Sequence, residues 1–104
     1  MSEVRLPAPV KATLVEGDLV AEGKEHPAGA FRLYENAGIK YLHFLCPCGC
    51  GGLWGVSFAP SRWTFDGNSE APTVTPSIRA FEPSGDGTET HWHGCLTAGE
   101  WRQA

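Results

Sequence analysis

Basic residues are scarce in this chain of 104 amino acids: 8 Lys and Arg stand against 12 Asp and Glu, giving a formal net charge of −4. The few cations are scattered, so a general affinity for nucleic acid or an anionic membrane surface, which grows with the Lys and Arg available for phosphates, is disfavoured. No run of eighteen apolar residues occurs, which rules out a membrane-spanning helix of ordinary length. The opening residues, Met1-Ser2-Glu3-Val4-Arg5-Leu6-Pro7, lack the apolar stretch of a signal peptide, so a soluble, cytoplasmic protein without membrane contact is expected. Neither an internal repeat nor a sustained 3.6-residue period is visible, which removes repeat arrays and long amphipathic helices. Cysteine is limited to four residues, and three of them alternate at Cys46, Cys48 and Cys50, too close to pair with one another as disulfides. A reduced, metal-bound state is the better reading of that spacing.

What the chain does have is turns. Thirteen glycines and eight prolines in a sequence that is 41% hydrophobic point to short extended segments. A domain of this length is near the size at which an apolar core alone is marginal, and a bound ion then adds useful stability. Val10, Ala12 and Leu14, followed by Leu19 and Ala21, alternate around Glu16-Gly17-Asp18 and predict a hairpin. Ala30–Tyr34 and Lys40–Leu45 flank Glu35-Asn36-Ala37-Gly38, the clearest hairpin signal in the sequence. The second strand runs into Cys46, and Leu53–Phe58 resumes extended structure beyond the cysteines. Arg62–Phe65, a turn at Asp66-Gly67-Asn68, and Thr73–Ile78 follow. Pro76 has no amide proton, so the last of these is expected at an edge or as an isolated extended segment. Thr90–Leu96 and Glu100–Arg102 flank Thr97-Ala98-Gly99 as a closing hairpin. A helical turn is allowed only near Ala59 to Arg62, and Glu82–Gly87 has the composition of a mobile loop. The expected fold is a single small, mainly β, antiparallel domain over residues 10–104, preceded by a flexible arm at 1–9.

Every cysteine and two of the four histidines fall into two runs, Cys46-Pro47-Cys48-Gly49-Cys50-Gly51-Gly52 and His91-Trp92-His93-Gly94-Cys95. Thiolate and imidazole from two such runs form the donor set of a tetrahedral zinc. On an extended strand His91, His93 and Cys95 share one face while Trp92 and Leu96 take the other. Pro47 and the glycines favour a knuckle that aims backbone amides at the sulfurs. The predicted ligands are Cys46, Cys48, Cys50, His91 and His93, more than one ion needs. Cys46, Cys48 and Cys50 with His93 form the leading set, and two cysteines with both histidines come next. Cys95 is the first to be dropped, as a small buried hydrophobe. His26 and His43 belong to no cluster and are expected in a loop and a strand.

A closed, sulfur-rich set is structural, whereas a catalytic zinc keeps an open position. One structural Zn2+ is therefore expected, linking the central knuckle to the C-terminal hairpin. The His-x-His pair invites comparison with deubiquitinase-like metalloproteases, but these need a Ser and an Asp after the pair, and Gly94 to Ala104 contain neither. A cupin-like oxygenase needs a Glu about four residues beyond the second histidine, where this chain has Thr97 and Ala98. The enzymatic alternative that survives is a metal-dependent hydrolase or oxygenase using His91, His93 and a water, with Glu89 or Glu100 moving protons; solvated carboxylates are the simpler account of both. A Cys–His nucleophile pair is a further option, although nothing selects one cysteine for it. Trp54, Trp63, Trp92 and Trp101 could stack on bases or sugars, but in a chain this small they more commonly supply core area.

The ordered combination Cys46-Pro47-Cys48-Gly49-Cys50-Gly51, Trp63-Thr64-Phe65-Asp66-Gly67-Asn68, Pro72-Thr73-Val74-Thr75-Pro76-Ser77-Ile78, Trp92-His93-Gly94 and Gly99-Glu100-Trp101 resembles a family of small phage and prophage proteins to which no reaction is assigned. The resemblance spans about Phe44 to Arg102. In such relatives a cysteine often stands where Thr90 stands here, and its loss leaves His91 to take over a ligand role. The resemblance implies zinc binding, a phage or prophage origin and a bacterial host cytoplasm. The expected role is a non-enzymatic accessory or interaction module that meets protein partners through a strand edge or the Glu82–Glu89 loop. A zinc-ribbon-like nucleic-acid reader is the remaining alternative.

Overall fold

The computed structural model describes residues 6–16, 19, 26–58, 63–81 and 90–103. Eight strands are present: β1 (Val10–Lys11), β2 (Phe31–Asn36), β3 (Ile39–Leu45), β4 (Leu53–Ser57), β5 (Thr64–Phe65), β6 (Val74–Phe81), β7 (Thr90–Thr97) and β8 (Glu100–Gln103). No helix occurs among the described residues, and so none is long and apolar enough to cross a membrane. The strands form two antiparallel sheets, one in the order β1-β8-β7-β6-β5 and the other β2-β3-β4. The mainly β, antiparallel architecture is as the turn-rich composition predicts.

Both sheets bury one face in a shared core. Phe31, Leu42, Phe44 and Val56 from the smaller sheet meet Val74, Ile78, Ala80, Trp92, Leu96 and Trp101 from the larger one. Phe44 and Trp101 make a direct ring contact between the sheets, with centroids 4.5 Å apart. Period-2 alternation selects these residues: Trp92, Gly94 and Leu96 of β7 are buried, while His93 and Cys95 between them are half-buried on the opposite face.

The two strongest hairpin signals are realised by the same device. Ala37 (φ 54°) and Gly38 (φ 79°) join β2 to β3, and Ala98 (φ 49°) and Gly99 (φ 80°) join β7 to β8. Two successive residues at positive φ match the right-handed twist of the flanking strands. Alanine at the first position carries a Cβ penalty that asparagine tolerates better.

The N-terminal segment joins a strand distant in sequence. Val10 lies opposite Trp101 and Lys11 opposite Glu100, so β1 extends the larger sheet, while Val20 and Ala21 of the expected hairpin lie outside the described residues. Thr13 and Val15 then bond to Phe31, in a parallel bridge centred on Leu14. Alternation fixes which side chains face inward but not which strand lies alongside, and the edge of β8 supplies a partner here. Of the expected arm, Leu6 donates its amide to Gln103 Oε1 at 2.9 Å and packs on the core. Most of the Glu16-Gly17-Asp18 turn, the expected helical turn at Ala59 to Arg62, and the Glu82–Gly87 loop lie outside the described residues.

β6 is not an edge strand, despite Pro76. It lies between β7 and β5, and its register against β7 shifts between Val74 and Ile78, where the proline falls. An irregularity of that kind is where a residue without an amide proton is accommodated inside a sheet. β5 covers only Val74 and Thr75 on the other side.

Gly94 is fixed by space. A Cβ there would lie 2.2 Å from the Arg102 carbonyl oxygen and 2.4 Å from the Trp92 ring. Gly94→Ala should therefore lower stability by about 1–3 kcal/mol or more through overpacking. Ala37→Asn should raise it by up to about 1 kcal/mol by relieving the first turn residue. Thermal unfolding checks both, and equal midpoints for all three proteins would contradict this reading of the β7 packing and the β2–β3 turn.

Candidate functional site

The cysteine run is the turn between β3 and β4. Cys46 follows directly on the last residue of β3, and its amide donates to the Gly52 carbonyl at 2.9 Å, closing the loop at its base. Gly49 and Gly51 take positive φ inside it. The Gly49 amide donates back to the Cys46 carbonyl, and the Gly52 amide lies 3.4 Å from Cys50 Sγ. The strand, turn, strand arrangement predicted around the cysteines is thus present, with the Gly52 amide directed at the Cys50 sulfur.

His91 enters from β7 of the other sheet. Its Nε2 is 3.4 Å from Cys48 Sγ and 3.4 Å from Cys50 Sγ, and the Cys46 and Cys48 sulfurs are 3.2 Å apart. One donor atom from each of Cys46, Cys48, Cys50 and His91 lies within 4.8 Å of the others, and together they could hold a metal ion. Zinc bond lengths of ~2.0 Å to nitrogen and ~2.3 Å to sulfur give tetrahedral edges of about 3.5 and 3.8 Å. The His91 edges to Cys48 and Cys50 already fit, and the Cys46–Cys48 edge needs to open by about half an ångström. All four cysteines are free thiols. Trp54 stacks on the His91 ring, with centroids 5.4 Å apart and planes 15° apart.

The thiols at the two ends of the cluster sit in opposite electrostatic environments. Cys46 is fully buried, and burial pushes its thiol well above the usual range; the Cys48 backbone amide opposes this, and the nearby thiols of Cys48 and Cys50 reinforce it. Cys50 is exposed at the outer end of the cluster. Its residual burial disfavours the thiolate, but the Gly52 amide and hydrogen bonds from Cys48, Cys46 and His91 outweigh that and lower its pKa. A buried thiol beside a stabilised thiolate is the donor environment that a dication completes.

Of the five predicted ligands the structure brings four together and places the fifth elsewhere. His93 Nε2 lies 2.8 Å from the Ser77 hydroxyl oxygen. Residues i and i+2 on a strand are about 7 Å apart, so two histidines at that spacing serve two different sites unless their side chains bend toward each other. Ser77 belongs to β6, whose Arg79 is directly opposite His93. The register thus sets Ser77 diagonally across from the imidazole. With the ring proton on Nδ1, the Ser77 hydroxyl donates to Nε2, the relation a serine nucleophile needs with its base. Both residues are half-buried. Trp63 Nε1 donates to the Ser77 carbonyl at 3.3 Å, and Gln103 Nε2 donates to the His93 carbonyl at 3.3 Å.

Residues 19–104 match the family model of BubE, described as the bacterial ubiquitination-like system serine protease. The chain belongs to the BubE family. The matched segment contains the Cys3His cluster and the Ser77–His93 pair together. That description names a bacterial system and says nothing of phage. Comparison with curated proteins and with solved structures finds no match. Ser77, the partner of His93, is the member of this pair that sequence reasoning missed. It stands inside the quoted Pro72–Ile78 motif, but a serine between proline and isoleucine carries no local mark of a nucleophile.

The other candidates fall outside both groups. His43 is on β3, 3.2 Å from the Tyr34 hydroxyl, and its pKa is lowered by burial and then by the Arg32 guanidinium. His26 takes no part in the cluster, and Cys95 is a half-buried thiol opposite Arg102. Glu100 pairs with Arg102 at 2.6 Å on the surface, as a solvated carboxylate would. Glu89 lies outside the described residues. Trp92 and Trp101 are fully buried, whereas Trp54 and Trp63 are half-buried beside His91 and Ser77.

Metal analysis separates the two histidines. One zinc per chain is expected for the wild type and for His93→Ala, and none for His91→Ala or Cys48→Ala. Chelation should lower the melting temperature by more than about 10 °C, the effect of losing ~2 kcal/mol in a domain of this size. Loss of the metal in His93→Ala with retention in His91→Ala would reverse the assignment.

Proposed function

We propose that this chain is a serine peptidase of a bacterial ubiquitination-like system, with Ser77 as nucleophile, His93 as general base and acid, and a structural zinc held by Cys46, Cys48, Cys50 and His91. The observation that carries the reading is the 2.8 Å contact between Ser77 Oγ and His93 Nε2 within the segment that matches the family. The description of that family as a serine protease of a bacterial ubiquitination-like system supports a protein substrate, and we take it to be a ubiquitin-like protein or its conjugates. It also favours an enzyme acting on protein partners over the non-enzymatic module expected from sequence. A phage or prophage origin is not needed for any part of this reading.

The chemistry follows from the pair. Ser77 Oγ attacks the scissile carbonyl carbon while its proton passes to His93 Nε2. The carbon–nitrogen bond then breaks as His93 returns the proton to the departing amine, leaving an ester on Ser77. A water molecule, deprotonated by His93, attacks that ester, and the released Ser77 oxygen regains the proton from the imidazole. The ion, when bound, supplies a fixed cross-link between the β3–β4 turn and β7. Four protein donors fill a tetrahedral shell, which favours that structural role over a water-activating one. The metal-dependent hydrolase reading needs His91 and His93 on one ion, and the Ser77 contact takes His93 away from it.

A fluorophosphonate probe tests the assignment. It should label the zinc-loaded protein at Ser77 alone and fail to label Ser77→Ala. In His93→Gln, labelling should slow by about 10²-fold or more, the usual worth of a positioned general base. Undiminished labelling of Ser77→Ala would exclude the proposal.

A further inference from the structure

The Ser77–His93 pair accounts for bond cleavage but not for how a protein chain is led to the serine. β6 has β7 along one edge and β5 on the other. β5 pairs only with Val74 and Thr75, so among the described residues no strand flanks residues 76–81 on that side. The Thr73 and Ser77 carbonyls both face it: one accepts from the Asp66 amide at 3.1 Å, the other from Trp63 Nε1 at 3.3 Å. Backbone groups of successive residues on an antiparallel strand point to opposite edges. With Thr73 and Ser77 outward, the amide and carbonyl of Arg79 and of Phe81 are directed outward as well, and those of Ile78 and Ala80 turn to β7, opposite Gly94 and Trp92. The register shift between Ala80 and Phe81 skips His91 on β7 and leaves β6 itself regular.

Ser77 therefore stands where the part of this edge covered by β5 ends. The Trp63 indole takes the Ser77 carbonyl, so a chain lying along Ile78–Phe81 must stop at the serine and brings one end to it. We propose that the substrate enters as an extended, unfolded tail that adds to β6 as an antiparallel strand alongside Ile78–Phe81, with the residues before the scissile bond forming that strand. The inference rests on the serine peptidase reading above. Antiparallel addition is chosen because every strand pair of both sheets is antiparallel, and such pairing is the more stable per residue. Its direction decides the side: a chain antiparallel to β6 runs from Phe81 toward Ser77, so the residues on the edge precede the scissile carbonyl and belong to the acyl part. At about 3.3 Å per residue Phe81 is roughly 13 Å from Ser77, which accommodates about four residues of tail. Main-chain hydrogen bonds supply the affinity in this mode. A peptide bond inside a helix or a paired strand has already committed its amide and is excluded, whereas a loose tail of a protein qualifies.

Backbone methylation of a peptide substrate tests this with the zinc-loaded full chain. A library of acyl-hexapeptide aminocoumarins identifies the best-cleaved sequence, and single N-methyl groups are then moved along it. kcat/KM should fall by about tenfold or more at alternate residues, whose amides face β6, and by less than about threefold at the residues between, whose amides face away. Arg79→Pro removes an outward amide proton and spares the bonds to β7, while Arg79→Ala keeps that proton. With zinc content and circular dichroism checked for both, the proline variant should cleave the unmethylated peptide at least about tenfold more slowly than the alanine variant. A uniform response to methylation, or equal turnover by the two variants, overturns the edge assignment and leaves the peptidase reading standing. So does failure to cleave any library member while Ser77 still reacts with the phosphonate. Absence of turnover together with an inert Ser77 overturns both.

Discussion

The contact between a turn of one sheet and a strand of the other is the constraint on which the remainder depends. Cys48 and Cys50 reach His91 across 43 and 41 residues of sequence, and the two elements belong to different sheets. A core built from a domain this small leaves little stability to spare. An ion at that junction contributes its binding free energy directly to folding, because the assembled donor set exists only in the folded chain. The cluster runs from fully buried Cys46, within the core, to exposed Cys50, so it joins the interior to the surface.

β7 distributes that constraint residue by residue. His91 meets the thiols, Trp92 fills the core, His93 faces Ser77, and Gly94 permits close approach to β8 and the Trp92 ring. The imidazole of His93 is therefore carried between two anchors, one polar and one apolar. In the proposed mechanism a base held by a rigid strand in this way would need little reorganisation as its partner serine reacts. On β6 the register shift around Pro76 precedes Ser77 directly, and the Trp63 and Gln103 side chains hold the backbone carbonyls of Ser77 and His93. Cross-link and reactive pair are separate in chemistry and adjacent in structure.

Much of this was legible in the residues. Alternation identifies the core face of β7, Ala37-Gly38 and Ala98-Gly99 mark tight hairpins, and glycine-flanked cysteines mark a turn between two strands. The division of labour between His91 and His93 was not legible, because period 2 places both on the same face and a His-x-His pair reads as two ligands. Only the register of β6 against β7 separates them, and register is set by strand partners distant in sequence. Ser77 was hidden for the same reason: the imidazole it meets is 16 residues away on the neighbouring strand. The pairing of β1 with β8 is also a matter of partner choice, which local pattern does not encode.

The central claim is that three sulfurs and one imidazole share an ion while the second imidazole stays with the serine. X-ray absorption at the zinc edge of the metal-loaded protein measures this directly. Three sulfur neighbours at about 2.3 Å and one nitrogen at about 2.0 Å are predicted. Two sulfurs with two nitrogens, or a shell completed by a water oxygen, would contradict the account.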